Sequence, residues 1–365
     1  MQDTMPQNFF AIASKPPNIS SLSFANMLKK GLKELGYPVK KIGFSGTLDP
    51  FAHGMLILGV NHYTKLLSHI RKDYKTYKAV LFLGLESKSL DIENIVCLHK
   101  IQPYSHEEIE KAIQNIQGSI SYKPPKFSAK HINGVRAYEL MRKGIDFDIN
   151  TITTDIKYIK ILNYSHPFLS FEVCVSEGGY IRSIGEIIAK NLGVCGSLCS
   201  LERVQEGEWN YKNMLKDSMT HKQDNVLGCI EAPLQIQGIR QNAKVIILNI
   251  KNALKYDTIQ LTEYAKIAYN GAKFILNPSL CAKIFSDMVR VTDSKKDSKQ
   301  YTQQSQNIQA THLESGCHNK EVCPDTMCRD SVSKILLADF DTHFGIIEVF
   351  QDGKVKYILN RIDKC

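Results

Sequence analysis

The stretch Lys41-Ile42-Gly43-Phe44-Ser45-Gly46-Thr47-Leu48-Asp49-Pro50-Phe51-Ala52-His53-Gly54 carries the clearest chemical signal in the chain. Its three glycines let the backbone turn tightly and approach a ligand closely. Pro50 fixes the chain after Asp49 and biases Asp49 away from right-handed helical geometry. The product is one carboxylate on a stiff loop, a group that can attack an electrophile or accept a proton. Taken alone, Asp-Pro in a glycine-rich loop is more often only a turn.

The loop sits in a basic setting. Residues 1–80 hold eleven Lys and Arg against four Asp and Glu, a net +7, and the whole chain of 365 residues carries +9 with a pI near 8.9. Such a face attracts phosphate backbones, although a solvated surface explains the charge equally well.

The elements that must position the loop follow from periodicity. Asn8 to Ala13 reads as a strand stopped by Lys15-Pro16-Pro17. Phe24, Met27, Leu28, Leu32 and Leu35 then recur at helical spacing, closed by Gly36 and Pro38. Residues 43–54 read as a loop. Tyr74 to Leu83 alternates as a strand with Tyr77, Leu81 and Leu83 on one face. Ser105 and Glu108 form a capping box ahead of Ile109, Ala112, Ile113 and Ile116. A short helix near 135–142, strands near 152–163 and 168–176, and a helix from about Tyr180 complete this part. The pattern is α+β, with no regular βαβ alternation and no internal repeat.

The ordered motifs resemble the TruB family of bacterial tRNA pseudouridine synthases. Gly43-x-x-Gly46-x-Leu48-Asp49-Pro50-x-Ala52-x-Gly54 is similar to the family's signature loop. Ser14 to Ser21 resembles its N-terminal motif, and Lys75-Thr76-Tyr77-Lys78-Ala79 the strand bearing its active-site tyrosine. Pro124 to Tyr138, Ser176 to Ser183 and Leu201-Glu202-Arg203 are similar to its central loop, arginine motif and closing segment. The likeness spans roughly residues 9–215. Two positions depart from it: Phe44 stands where bacterial members usually carry His, and His53 where a small residue is common.

The resemblance implies a mixed, largely antiparallel sheet and a base-flipping isomerase that makes pseudouridine in the T-arm loop of tRNA. It implies Asp49 as nucleophile, Arg182 as its ion-pair partner and Tyr77 as the surface that stacks on the uracil, with the Tyr77 hydroxyl open to a part in proton transfer. Attack on the ribose and attack on the base stay open. Tyr180, Lys15, Gly46, Leu48, Phe44 and Leu201 are the candidate substrate-binding residues. The isomerisation needs no metal or nucleotide cofactor, and no Walker-type Gly-x4-Gly-Lys-Ser/Thr motif is present. The expected partner is the T stem-loop of tRNA, bound by a cytoplasmic monomer. A non-catalytic RNA-binding module and a synthase acting on other RNAs are the alternatives.

Composition supports two domains. The expected division is a catalytic domain over 1–231 and a small β-rich domain over 232–365, with strands near 243–249, 273–276, 334–340, 345–350 and 354–359. The family resemblance implies that this second domain is an accessory, PUA-like RNA-binding module. Residues 292–334 are polar and read as a disordered insertion. Within it, Cys317, His318, Cys323 and Cys328 lack the paired spacing of common zinc sites. The other cysteines read as scattered free thiols. No apolar run approaches the ~18 residues of a membrane span, and the N-terminus has no secretory signal pattern.

Overall fold

The computed structural model describes residues 5–70, 74–220, 226–254, 256–270, 272–285, 333–340 and 343–363. Two compact units divide the chain, 1–255 and 256–364. The first unit begins with β1 (Phe9–Lys15), α1 (Ser21–Glu34), β2 (Ile42–Ser45), β3 (His53–Val60) and β4 (Tyr74–Leu83). Next come β5 (Leu85–Ser87), β6 (Ile95–Leu98), α2 (His106–Gln114), β7 (Gly118–Tyr122), β8 (His131–Ile132), β9 (Val135–Arg136) and α3 (Ala137–Arg142). The long pair β10 (Ile152–Ser165) and β11 (Phe168–Ser176) leads to α4 (Ile181–Asn191), β12 (Gly196–Glu206), β13 (Trp209–Asn210) and α5 (Tyr211–Thr220). A hairpin of β14 (Val226–Ile236) and β15 (Ile239–Leu248), then α6 (Ile250–Ala253), closes the unit.

One mixed sheet runs β14-β15-β1-β3-β12-β4-β11-β10-β7, with β2 beside β3 and β13 beside β12. Along that path every pairing is antiparallel except β3 with β12. There Arg203 lies opposite Gly54, which holds φ +104°, and a Cβ on Gly54 would lie 2.4 Å from the Arg203 carbonyl oxygen. Only glycine permits that approach.

Two apolar clusters flank the sheet. Phe24, Leu28 and Leu32 of α1 pack on Phe9, Leu56, Leu58, Val245 and Ile247. Ile109 and Ile113 of α2 and Ile184 and Ile188 of α4 pack on Leu81, Phe171 and Val173. Ser20 caps α1 and the Ser105–Glu108 capping box forms as the sequence indicates.

Several expectations are corrected. The loop expected over 43–54 is shorter, because 43–45 pair with β3 and His53 and Gly54 already belong to that strand. The expected division at 231/232 moves to 255/256, since β14 and β15 extend the main sheet through β1. No strand spans 273–276; Ile275 makes one isolated bridge to Lys354. The expected insertion and its Cys and His residues lie outside the described residues as far as 332, and Ser333 and Lys334 start a strand.

The second unit contains β16 (Thr258–Gln260), α7 (Ala265–Tyr269), β17 (Ser333–Asp339), β18 (His343–Phe350) and β19 (Val355–Asp363). These strands form a sheet in the order β16-β17-β18-β19, over a core including Phe274, Leu336, Phe340, Ile347 and Val349. Among the described residues no helix is long and apolar enough to cross a membrane.

Candidate active site

Residues 46–52 join β2 to β3, and the N-terminal segment pins them. Ser21 Oγ accepts from the Leu48 N–H and donates to the Leu48 carbonyl, both at 2.9 Å. The Asn18 N–H donates to the Pro50 carbonyl at 2.8 Å. Lys15, fully buried, donates to the carbonyls of Pro16, Ile19 and Pro50. Burial lowers its pKa to about 8, with the Asp49 charge acting in the opposite direction. The Lys15 ammonium is thus spent on backbone oxygens, and Lys15 lines neither cavity beside Asp49. It belongs to the scaffold of the loop rather than to a substrate-facing surface.

Arg182, in the first turn of α4, meets the loop. Its Nε lies 2.8 Å from Asp49 Oδ2, and its Nη2 donates to Asp49 Oδ1 at 3.1 Å and to the Phe127 carbonyl at 2.9 Å. Its Nη1 donates to the Ser89 carbonyl at 2.7 Å and to Asp91 Oδ2 at 3.1 Å. Each of the three guanidinium nitrogens therefore has an oxygen partner. Asp91 is itself fixed by the Ser89 hydroxyl at 2.6 Å and the Glu93 N–H at 2.9 Å.

Burial separates the three charges. The side chains of Arg182 and Asp91 are 4% and 3% exposed, whereas Asp49 is 33% exposed. The Asp49 carboxylate is therefore the reachable member of the cluster. Burial pushes its pKa above the ordinary value, Arg182 pulls it down, and Asp91 adds to the rise.

Asp49 borders a cavity of about 500 Å³ whose wall includes Gly46, Leu48, Tyr77, Tyr180, Arg182 and Leu201. That volume lies in the range of small-molecule pockets. Tyr77, on β4, is buried and accepts a hydrogen bond from Arg203; burial raises its pKa, so the phenol stays protonated at neutral pH. Tyr180 is the N-cap residue of α4, and its N–H donates to the Tyr122 hydroxyl at 2.8 Å. Phe44 lines a second cavity, of about 560 Å³, that also borders Asp49 and includes Asp91, Arg136, Tyr138 and Arg142 in its wall.

Beneath Gly46 lies a buried network centred on a carboxylate that the sequence motifs do not single out. Arg203 donates to the carbonyls of Met55 at 2.7 Å and Gly46 at 3.2 Å. Glu206, fully buried, stands 3.5 Å from Lys75 Nζ and 3.8 Å from Arg203 Nε, and accepts from Ser45 Oγ at 3.3 Å. Asp91 and Glu206 escape a sequence reading for the same reason: each meets partners through tertiary folding, 91 residues from Arg182 and 161 from Ser45.

Residues 34–181 match the N-terminal domain of the TruB family of pseudouridylate synthases. A protein of Helicobacter hepaticus named tRNA pseudouridine synthase B is 36% identical over 360 residues, covering 98% of this chain and 97% of its own. The chain belongs to the TruB family. A Campylobacter jejuni relative of the same name is 41% identical over 273 residues, covering 73% of this chain and 96% of its own. Among solved structures, an H/ACA RNP bound to a substrate RNA containing 2'-deoxyuridine matches at a TM-score of 0.46 and 18% identity, covering 73% of this chain and 68% of that one. Among TruB motifs present here, the N-terminal one, Ser14 to Ser21, acts in the structure as the clamp on the Asp49 loop.

Proposed function

We propose that this chain converts uridine to pseudouridine in tRNA, at position 55 of the T arm, with Asp49 as the nucleophile. Relatives named tRNA pseudouridine synthase B, one matching 98% of the chain, support the reaction and the RNA class. The finer reading rests on one observation. Asp49 is held by Arg182 at both carboxylate oxygens while its side chain, a third exposed, borders a cavity also lined by Tyr77.

The reaction exchanges the N1–C1′ bond of uridine for a C5–C1′ bond. C5 loses a proton and N1 gains one, so there is no net oxidation and no added group. The target base leaves its stack and enters the cavity, where Tyr77 gives it a flat surface. Asp49 attacks the uridine and is released when the new bond forms. Arg182 keeps the carboxylate ionised and aimed despite burial. A protonated Tyr77 serves as stacking platform better than as base.

A non-catalytic RNA-binding module would gain nothing from Asp49 and Asp91, because carboxylates repel phosphates. Tritium release from C5-labelled uridine in tRNA, with pseudouridine mapping, tests the proposal. The protein should release one equivalent of tritium per site, with no net release of protons. Asp49→Asn should release none while keeping its melting temperature within a few degrees and most of its RNA affinity. Turnover by Asp49→Asn near the unaltered rate would refute the nucleophile role.

A further inference from the structure

Strands β5 and β6 form a separate two-stranded ribbon in which Glu86 lies opposite Cys97. Paired residues of an antiparallel ribbon project from the same face, and a residue two positions along returns to it. His99 is that residue, and its N–H donates to the Gly84 carbonyl at 2.8 Å, carrying the pairing one step past β6. Three different ligand types therefore converge. Glu86 Oε2 is 2.8 Å from His99 Nε2, Cys97 Sγ is 3.0 Å from His99 Nε2, and Cys97 Sγ is 3.2 Å from Glu86 Oε2. Among the described residues this is the group of three or more His, Cys, Asp or Glu whose donor atoms come together closely enough to hold a metal ion.

We propose that Glu86, Cys97 and His99 form a zinc-binding site on the β5–β6 ribbon, apart from the uridine cavity. A tetrahedral zinc ion with bonds of about 2.0–2.3 Å sets its donors roughly 3.3–3.6 Å apart, so the triangle needs to open by only about half an ångström. Glu86 and His99 are about half exposed, which gives the ion a path in and leaves the fourth position to water. Thiolate, imidazole and carboxylate together favour zinc and its first-row neighbours over magnesium or calcium. Ligation replaces the Cys97 thiol proton, so one proton leaves per ion bound. The site would clip together the two strands that flank residues 88–94. That turn contains Ser89 and Asp91, the two anchors of Arg182 Nη1.

Cobalt serves as the spectroscopic probe and zinc as the competitor, on the full-length, reduced, metal-stripped chain. The expected result is one equivalent of cobalt bound with release of one proton and a near-ultraviolet thiolate-to-metal band, which zinc then abolishes by displacing cobalt with no further proton release. Cys97→Ser should abolish the band, and His99→Gln or Glu86→Gln should weaken binding at least about tenfold. A chain with Cys317, Cys323 and Cys328 all changed to Ser should keep the band. Absence of the band in the unaltered chain, its survival in Cys97→Ser, or its loss in the triple variant would overturn the assignment.

Discussion

Arg182 grips Asp49 at two points, Nε on Oδ2 at 2.8 Å and Nη2 on Oδ1 at 3.1 Å. A fork–fork contact of this kind fixes direction as well as charge. Lysine has no fork and cannot reproduce it. Arg182→Lys should therefore lower the single-turnover rate of uridine isomerisation by about 100-fold or more, roughly 2.7 kcal/mol of barrier. Its affinity for tRNA should change much less, because Arg182 is nearly sealed from solvent. Filter binding beside rapid-quench kinetics separates the two, and an equal loss in both would place Arg182 on the RNA surface instead.

As the proposed nucleophile, Asp49 must be ionised to attack, so activity should be lost as pH falls through its folded-state pKa. Burial raises that pKa above the ordinary 3.8, so the acid limb of the single-turnover rate should lie above that value. Asp91 contributes to the rise through like-charge repulsion. Asp91→Asn should move the acid limb to lower pH and, by loosening Arg182, slow turnover about tenfold. An unmoved limb would mean that the two carboxylates do not sense each other.

Lys15 ties three backbone carbonyls together, one of them the Pro50 carbonyl directly after Asp49. Lys15→Met keeps the apolar stem and leaves those oxygens without their donor. The expected cost is about 2–4 kcal/mol. In a unit of this size that is a fall in melting temperature of roughly 5–10 °C. Turnover should drop as the loop loosens. A variant as stable as the original but unable to bind tRNA would return Lys15 to the substrate surface.

Lys15 also illustrates what a sequence can and cannot convey, because its motif is legible and its role as a clamp is not. The strand Tyr74–Leu83 and the Ser105–Glu108 cap are local patterns, so alternation and spacing reveal them. β3 is not local in that sense: Met55 to Val60 is a run buried on both faces, and has no period to read. The domain boundary is equally hard to place, since β15 looks like any short strand until its pairing with β1 is known. Asp49 is legible because glycines and a proline mark its loop. Its supports, Asp91 and Glu206, carry no local signature. Glu86, Cys97 and His99 escape notice for a related reason: their shared face exists only once the ribbon folds.

Specificity for the T arm offers the last test, and it is carried by shape as much as by bases. Extracting a stacked base from a folded loop costs a few kcal/mol, which contacts at Tyr77 and its neighbours must offset. The second cavity beside Asp49 is lined by Arg136 and Arg142, and on the proposed function these cations would meet RNA phosphates near the target. A minimal T-stem-loop already holds its phosphates in the right arrangement and should be a substrate. An unstructured oligomer of the same bases should react far more slowly, because the protein would have to impose that arrangement itself. Binding of the stem-loop should weaken steeply with salt, and Arg142→Ala should reduce the slope of log K against log salt by about one. Equal rates on the folded and unstructured RNAs would show that loop shape is not read, and the T-arm part of the proposal would fall while the chemistry at Asp49 stood.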